Sequence, residues 1–273
     1  MVFNVANSLF LLPLIIFRKK IAINTDGLEW QRSKWGFWGR SFYKISERIS
    51  CNIANRLITD SREMKNYYIK KYQMDSTVIA YGASIQSHKS TNKLKDMGLK
   101  HGDYFLQITR FEPENHPLLT VKAFKRLKTN KKLVLVGGNH YPNTYTKAIQ
   151  AEVNAYIFLM GFIYDKEILE ELWCNCFAYI HGNSVGGTNP ALLQAMASAC
   201  FTISIDVPFN RDVLNECGIY FNNNEDSLVE KMKWALNNYK TLYTFGQKAQ
   251  LRIIEKYSWD KVTDQYEKLF YEL

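Results

Sequence analysis

HGNSVGGTNPALLQAM, residues 181–196, is the stretch on which the reading of this chain turns. It follows the apolar run FAYI at residues 177–180, whose length and side chains suit a buried strand. Gly186 and Gly187 strip side chains from the connection, Thr188 and Asn189 are helix-capping types, and Pro190 suits a first helical position. The product is a strand, a bare loop and a helix N-terminus. Backbone N–H groups in such a loop, with the positive end of the helix dipole, form a seat for an anion such as a diphosphate. An ordinary strand-to-helix turn is the competing reading, although two glycines and a stacked cap exceed what a turn requires.

Working outward, strand-like runs at residues 104–109, 132–136, 155–159, 177–180, 201–205 and 219–221 alternate with helical patterns at 118–127, 166–173, 190–199 and 227–238. This rhythm predicts an α/β fold with one complete doubly wound, Rossmann-type lobe on a parallel sheet, where ligands sit beyond the carboxyl ends of the strands. The first hundred residues show fewer units, with strands near Val2 and at 21–24, 56–59 and 77–79. No glycine-rich turn precedes Ile21, so this lobe is expected to be an incomplete N-terminal Rossmann-type lobe. A length of 273 residues accommodates two lobes. The boundary is placed in the polar stretch 86–102, giving a partial lobe over 1–100, a ligand-binding lobe over 101–257 and a C-terminal helix over 258–273 that returns to the first lobe.

With 47% hydrophobic and 22% charged residues, the chain is neither disordered nor a polytopic membrane protein. Its net charge of +9 is unevenly placed: residues 1–100 hold 17 basic and 7 acidic side chains, residues 101–273 hold 18 and 19. The first third therefore either faces an anionic partner, nucleic acid or an anionic membrane leaflet, or presents a solvated basic face. No nucleic-acid-binding motif accompanies the charge, so nucleic acid is set aside. Trp30, Trp35 and Trp38 mix with Arg32, Lys34, Arg40, Phe42, Tyr43 and Lys44, which suits a membrane interface and suits helix-on-sheet packing as well. The apolar run LFLLPLIIF at residues 9–17 is shorter than the ~20 residues of a membrane span. Its cations Arg18, Lys19 and Lys20 follow it, unlike those of a signal peptide, and a buried helix is expected. The five cysteines form no CxxC pair and lack histidines at zinc-ligand spacing, which predicts no metal, reduced thiols and a cytoplasmic location.

Four segments carry a resemblance: INTDGLEWQRSKWG at residues 23–36, within the stretch Ile21 to Gly36, TRFEPEN at 109–115, the 181–196 stretch, and YSWDKVTDQYEKLF at 257–270. Together they resemble the bacterial rhamnosyltransferase group within family 4 glycosyltransferases, over essentially the whole chain. Those are two-lobed GT-B enzymes that build capsule or O-antigen repeat units on a lipid carrier. The resemblance implies a GT-B-like fold, a chain truncated at its N-terminus, and transfer of a hexose, rhamnose above all, from dTDP-rhamnose or a UDP-sugar to a lipid-linked saccharide. It implies a nucleotide sugar as substrate without a cofactor, retention at the anomeric carbon, and work at the inner face of the cytoplasmic membrane.

Residue by residue, the resemblance places Arg110 on the donor diphosphate, where a guanidinium fork suits phosphate oxygens. It adds Asn115, Gly161, His181, Ser184, Gly186, Gly187, Thr188, Asn189 and Gln194 to the donor side. Thr109 stands where most relatives carry Gly, and Asn115 where the broader family has a phosphate-binding Lys. Gly186 and Gln194 occupy the positions of two family glutamates, and an amide at 194 grips ribose hydroxyls more weakly than a carboxylate. On the acceptor side it implies Asp26, Glu29, Trp30 and Arg32, with Asp26 nearest the acceptor hydroxyl as general base or orienting group, and with Arg110 completing the catalytic pair. Asp26-Gly27 as a simple turn, with Trp30 as a core aromatic, remains the plainer alternative. A second functional reading, a nucleotide-sugar-binding remnant or regulatory partner without turnover, follows from the truncation and Gln194.

Overall fold

The computed structural model describes residues 1–86, 90–139 and 143–273. Contacts divide the chain into two units. One comprises Met1–Gly82, Val185–Asn189 and Tyr257–Leu273; the other comprises Ala83–Ser184 and Pro190–Lys256. The polar stretch 86–102 thus begins just beyond the Gly82 to Ala83 division, and its residues Ser87, His88 and Lys89 lie outside the described residues.

The first unit runs β1 (Val2–Phe3), α1 (Leu12–Ile16), β2 (Ala22–Asn24), α2 (Phe37–Ile53), β3 (Arg56–Thr59), α3 (Arg62–Tyr72) and β4 (Thr77–Val78). These strands pair in parallel in the order β1-β2-β3-β4. Successive strand side chains point to opposite faces, so Ile21, Ile23 and Leu57 enter one apolar layer with Leu11, Met64 and Tyr68. Ala22 and Ile58 enter the other, with Ile79 and with Val262 and Leu269 of the C-terminal helix Trp259–Tyr271. Ser61 stops β3 and starts α3 by accepting a hydrogen bond from the Met64 amide at 3.3 Å.

The run at residues 9–17 corrects the expectation of a buried helix. Val5–Leu11 forms a 3-10 turn, α1 lasts five residues, and every residue from Leu12 to Phe17 is exposed. Pro13 opens a helix too short to turn a face inward, and Arg18 ends it in the left-handed region at φ 53. Leu11 alone of this stretch of leucines and isoleucines reaches the core.

The second unit runs α4 (Asn92–Asp96), β5 (Tyr104–Ile108), α5 (Pro117–Lys125), β6 (Lys132–Val136), α6 (Thr144–Ala151), β7 (Ile157–Leu159), α7 (Lys166–Asn175), β8 (Ala178–His181), α8 (Pro190–Ala197), β9 (Thr202–Ile205), α9 (Pro208–Leu214), β10 (Gly218–Phe221), α10 (Glu225–Asn237) and α11 (Leu242–Lys256). The remaining helix, Trp259–Tyr271, is α12. The expected strands appear within about two residues of their predicted ends. They pair in parallel in the order β10-β9-β8-β5-β6-β7. Renumbered from β5, that is 3-2-1-4-5-6 reversed, the doubly wound order, with its switch between β5 and β8. Phe105, Leu133, Leu135, Ala178, Ile180 and Ile203 face one layer, whereas Tyr104, Leu106, Val134, Val136 and Tyr179 face the other. Among the described residues, no helix is long and apolar enough to cross a membrane. All five cysteines are free thiols.

Candidate functional site

At the switch of the second unit, Leu106 pairs with Tyr179, and the chains leaving β5 and β8 run on as Thr109-Arg110 and Gly182-Asn183-Ser184. In doubly wound sheets this divergence opens the ligand crevice. Close approach of the two loops depends on Gly182, where an added β-carbon would fall 2.3 Å from the Asn115 carbonyl oxygen. Asn115, buried, holds both loops. Its Nδ2 donates to the Arg110 carbonyl at 2.9 Å, and its Oδ1 accepts from Asn183 Nδ2 at 2.8 Å. His116 Nδ1 lies 2.7 Å from the Gly182 carbonyl, and Asn210 Nδ2 donates to the Asn183 carbonyl at 3.0 Å. The Ser184 amide and hydroxyl both donate to the Glu114 carbonyl, at 2.9 and 3.0 Å. Arg110 is exposed, and its guanidinium has no ion pair among the described residues.

Three residues expected on the donor side are engaged or enclosed within the unit itself. Asn115 spends both ends of its side chain as a brace, and Ser184 turns its hydroxyl into the same loop. His181, the last residue of β8, is fully buried with the Asn210 side chain beside it, and among the described residues neither ring nitrogen makes a well-formed hydrogen bond. Burial pushes its imidazole down to about 3, so it is neutral and packs beside Tyr179. Gly161 follows β7 at φ +66 and accepts from the Gly137 amide at 2.7 Å. Gln194 is half-buried on α8.

In the first unit, polar groups gather where β2 and β3 end. Asp26 takes φ 57; its carboxylate accepts from the Tyr81 hydroxyl at 3.2 Å and from Asn4 Nδ2 at 3.4 Å. Its amide donates to Asn24 Oδ1 at 3.0 Å, and Asn24 Nδ2 donates to the Tyr266 hydroxyl of α12 at 2.9 Å. Burial and the Asp26 charge push the Tyr81 hydroxyl up, so it stays a proton donor. Asp60, just after β3, is 3% exposed, and its Oδ1 has no hydrogen-bond partner among the described residues. Burial pushes its carboxyl up to about 7, with the Asp26 charge adding in the same direction.

The Val185–Asn189 loop belongs to this unit, and its glycine at 187 has a steric cause. An added β-carbon would fall 1.9 Å from Asp60 Oδ1. Thr188 Oγ1 donates to the Asp60 carbonyl at 2.5 Å. Gly187 and Thr188 are therefore buried on Asp60, while Gly186, at φ 126, and Asn189 are half-buried.

Glu29, Trp30 and Arg32 close on one another and on neighbouring lysines. Glu29 pairs with Arg32 and, at 3.3 Å, with Lys34, and accepts from Trp35 Nε1 at 3.4 Å. Burial works to raise its carboxyl, and the two cations outweigh it and hold it below the ordinary value. The Trp30 ring has Lys44 and Lys71 at 4.7 and 5.2 Å from its centroid. Asp60, Tyr81, His116 and Asn183 were missed in the sequence. Asp60 sits in the motif TDS, which reads only as a strand end and a cap, and Asn183 lies inside the quoted HGNS. Among the described residues, no cluster of His, Cys, Asp and Glu is arranged to hold a metal ion.

Two parallel α/β units, one doubly wound around a switch-point crevice, define the GT-B class of two-lobed proteins. Residues 90–252 match the family described as glycosyl transferases group 1, and the chain belongs to that family. Residues 14–84 match a domain of unknown function, DUF1972. The fold is shared with Anabaena Alr3699/HepE in complex with UDP and glucose, at 12% identity and a TM-score of 0.87, covering 100% of this chain and 78% of that one. It is shared also with sucrose-phosphate synthase from Thermosynechococcus elongatus, at 14% identity and 0.84, covering 99% and 72%. A curated relative is the Campylobacter jejuni N-acetylgalactosamine-N,N'-diacetylbacillosaminyl-diphospho-undecaprenol 4-alpha-N-acetylgalactosaminyltransferase. It is 24% identical over 179 residues, which are 64% of this chain and 48% of the relative. The chain spans about half the length of that curated relative.

Proposed function

We propose that this protein transfers a hexose from a nucleoside-diphosphate sugar to a lipid-linked saccharide, with rhamnose as the sugar. The observation that carries the reading is the exposed Arg110 guanidinium, without an ion pair among the described residues, just beyond β5 at the doubly wound switch. Cleavage of the anomeric C–O bond leaves its electron pair on the departing diphosphate oxygen, which adds one negative charge to the two that the sugar nucleotide already carries. A guanidinium fork neutralises that charge as it develops. Gln194 offers the ribose hydroxyls an amide. On the acceptor side Asp26, oriented by Tyr81, accepts a hydrogen bond from the attacking hydroxyl. Support for the donor class comes from Anabaena HepE, whose structures hold UDP, UDP-glucose, or UDP and glucose. Support for a lipid-linked acceptor comes from the diphospho-undecaprenol in the name of the Campylobacter relative.

Calorimetric titration with UDP and dTDP tests the donor assignment. Arg110→Ala removes a charge-assisted contact and should weaken binding by about 1.5–3 kcal/mol. Unchanged affinity in that variant would remove Arg110 from the site. Radiolabelled transfer from dTDP-rhamnose, set against UDP-glucose and UDP-N-acetylgalactosamine with a lipid-linked acceptor, then decides the sugar.

A further inference from the structure

Three of the five thiols gather at the amino ends of β8 and β9, the end of the second sheet opposite the crevice where the chain leaves β5 at Arg110. Cys174 lies in the last turn of α7, Cys176 caps that helix with extended backbone, and Cys200 opens the connection into β9. Cys176 Sγ donates to the Trp173 carbonyl at 3.3 Å, and Cys200 Sγ donates to the same carbonyl at 3.0 Å. One oxygen that holds both thiols makes the sulfurs neighbours, and Cys176 is also a hydrogen-bonding neighbour of Cys200 itself. Both side chains enter one apolar layer, with Tyr104, Leu172 and Ala195.

The backbones suit a covalent bridge. Tyr179 pairs with Thr202, so Cys176 and Cys200, three and two residues earlier, stand one step out of register at the starts of adjacent strands. With strands ~4.8 Å apart and a rise of ~3.3 Å per residue, their α-carbons are about 6 Å apart, inside the ~4.4–6.8 Å that a disulfide spans. Cys174 is a poorer partner for Cys176, because positions two apart on a helix do not face each other. Access differs between the pair. Cys176 is half-buried and lines two adjoining cavities of about 390 and 430 Å³, which share Phe177 and Leu242 as walls. Cys200 is 4% exposed, and burial holds its thiol protonated well above the ordinary range. Since the thiolate is the nucleophile, Cys176 reacts first.

We propose that Cys176 and Cys200 form a reversible thiol–disulfide site, oxidised by a low-molecular-weight disulfide that enters through these cavities. The Cys176 thiolate attacks one sulfur of R–S–S–R, a mixed disulfide forms, and the other sulfur departs and takes up a proton as R–SH. The Cys200 sulfur then attacks Cys176 Sγ, the Cys176–Cys200 bond forms, and the second R–SH leaves with the Cys200 proton. Two protein thiols are oxidised and one external disulfide is reduced to two thiols. The bridge ties both ends of the β8 to α8 segment, closing a ring over residues 176–200 that contains the whole 181–196 stretch. What the ring does to sugar transfer rests on the proposed reaction; its formation does not.

The folded full-length chain is incubated with hydroxyethyl disulfide at pH 8, alkylated and mapped by mass spectrometry. Titratable thiols should fall from five to three, with the mass lower by two hydrogens, a linked Cys176–Cys200 peptide pair, and full reversal by dithiothreitol. Cys200→Ser should trap a hydroxyethylthio adduct on Cys176, because the resolving thiol is gone. Cys176→Ser should leave Cys200 unmodified, and Cys174→Ser should still form the bridge. Circular dichroism spectra that match the parent show that each variant is folded. A lasting adduct on Cys176 in the parent, a bridge to Cys174, or thiols lost only after unfolding in urea would each overturn the proposal. Bridge formation in a protein that binds no nucleotide would support the site and count against the transferase reading alone.

Discussion

Asp60 is a buried acid of the first unit, and its effect on stability has a definite sign. Its folded value near 7 lies above the ordinary value of 3.8, so the native state keeps a proton that the unfolded chain releases. Between those values stability falls as pH rises, by up to about 1.4 kcal/mol per pH unit. Asp60→Asn keeps the backbone carbonyl that accepts from Thr188 and removes the titration. Urea unfolding at pH 5 and pH 8 should show the parent weaker at the higher pH and the Asn variant nearly level. A parent as stable at pH 8 as at pH 5 would refute the buried-acid assignment. Gln194 makes a second residue-scale prediction. A charged acceptor bonds a hydroxyl roughly twice as strongly as a neutral one, so Gln194→Glu should tighten UDP binding, and tighten it more than dTDP, which lacks one hydroxyl. Equal or weaker binding of both nucleotides would move Gln194 away from the ribose.

Among the elements, the two connections at the switch of the second unit are joined through backbone, with no space for a methyl group. Gly182→Ala would press its β-carbon on the Asn115 carbonyl, 2.3 Å away, and on Gln107 Nε2, 3.0 Å away. Overpacking of this kind costs about 1–3 kcal/mol, and because Asn115 also holds Arg110, nucleotide affinity should fall along with the urea midpoint. A variant with parental affinity would show that the brace does not position Arg110. In the first unit, α12 packs on one side of the sheet, its Val262 and Leu269 sharing a core with Ala22, Ile58 and Ile79. Leu269→Ala should lower stability by about 2–5 kcal/mol, read as an earlier unfolding midpoint, and a loss below about 1 kcal/mol would mean that α12 contributes little to that core.

For the molecule as a whole, a nucleoside diphosphate that binds only the folded chain must raise its thermal stability by mass action. At a hundredfold excess over Kd the gain is about 2.7 kcal/mol, visible by scanning calorimetry as a higher transition temperature. No shift with UDP or dTDP at that excess would contradict nucleotide binding by the native fold.

Much of this architecture is legible from side-chain order alone. Short apolar runs with period two, separated by capped amphipathic segments, define parallel strands, because a strand buried on both faces has no polar side to show. Ile21, Ala22 and Ile23 enter opposite layers on that ground. The 181–196 stretch likewise marked where the chain turns bare, since Gly186, Gly187 and Pro190 are local backbone instructions. Tertiary structure decided what those instructions serve. Gly187 is small because a carboxyl distant in sequence, Asp60, lies against it, and Asn115 and His181 are turned inward by neighbours that no spacing reveals. The same holds for the apolar run at residues 9–17. Hydrophobicity is a property of the side chain, whereas burial depends on whether another element arrives to cover it, and within this unit none covers Ile16 and Phe17.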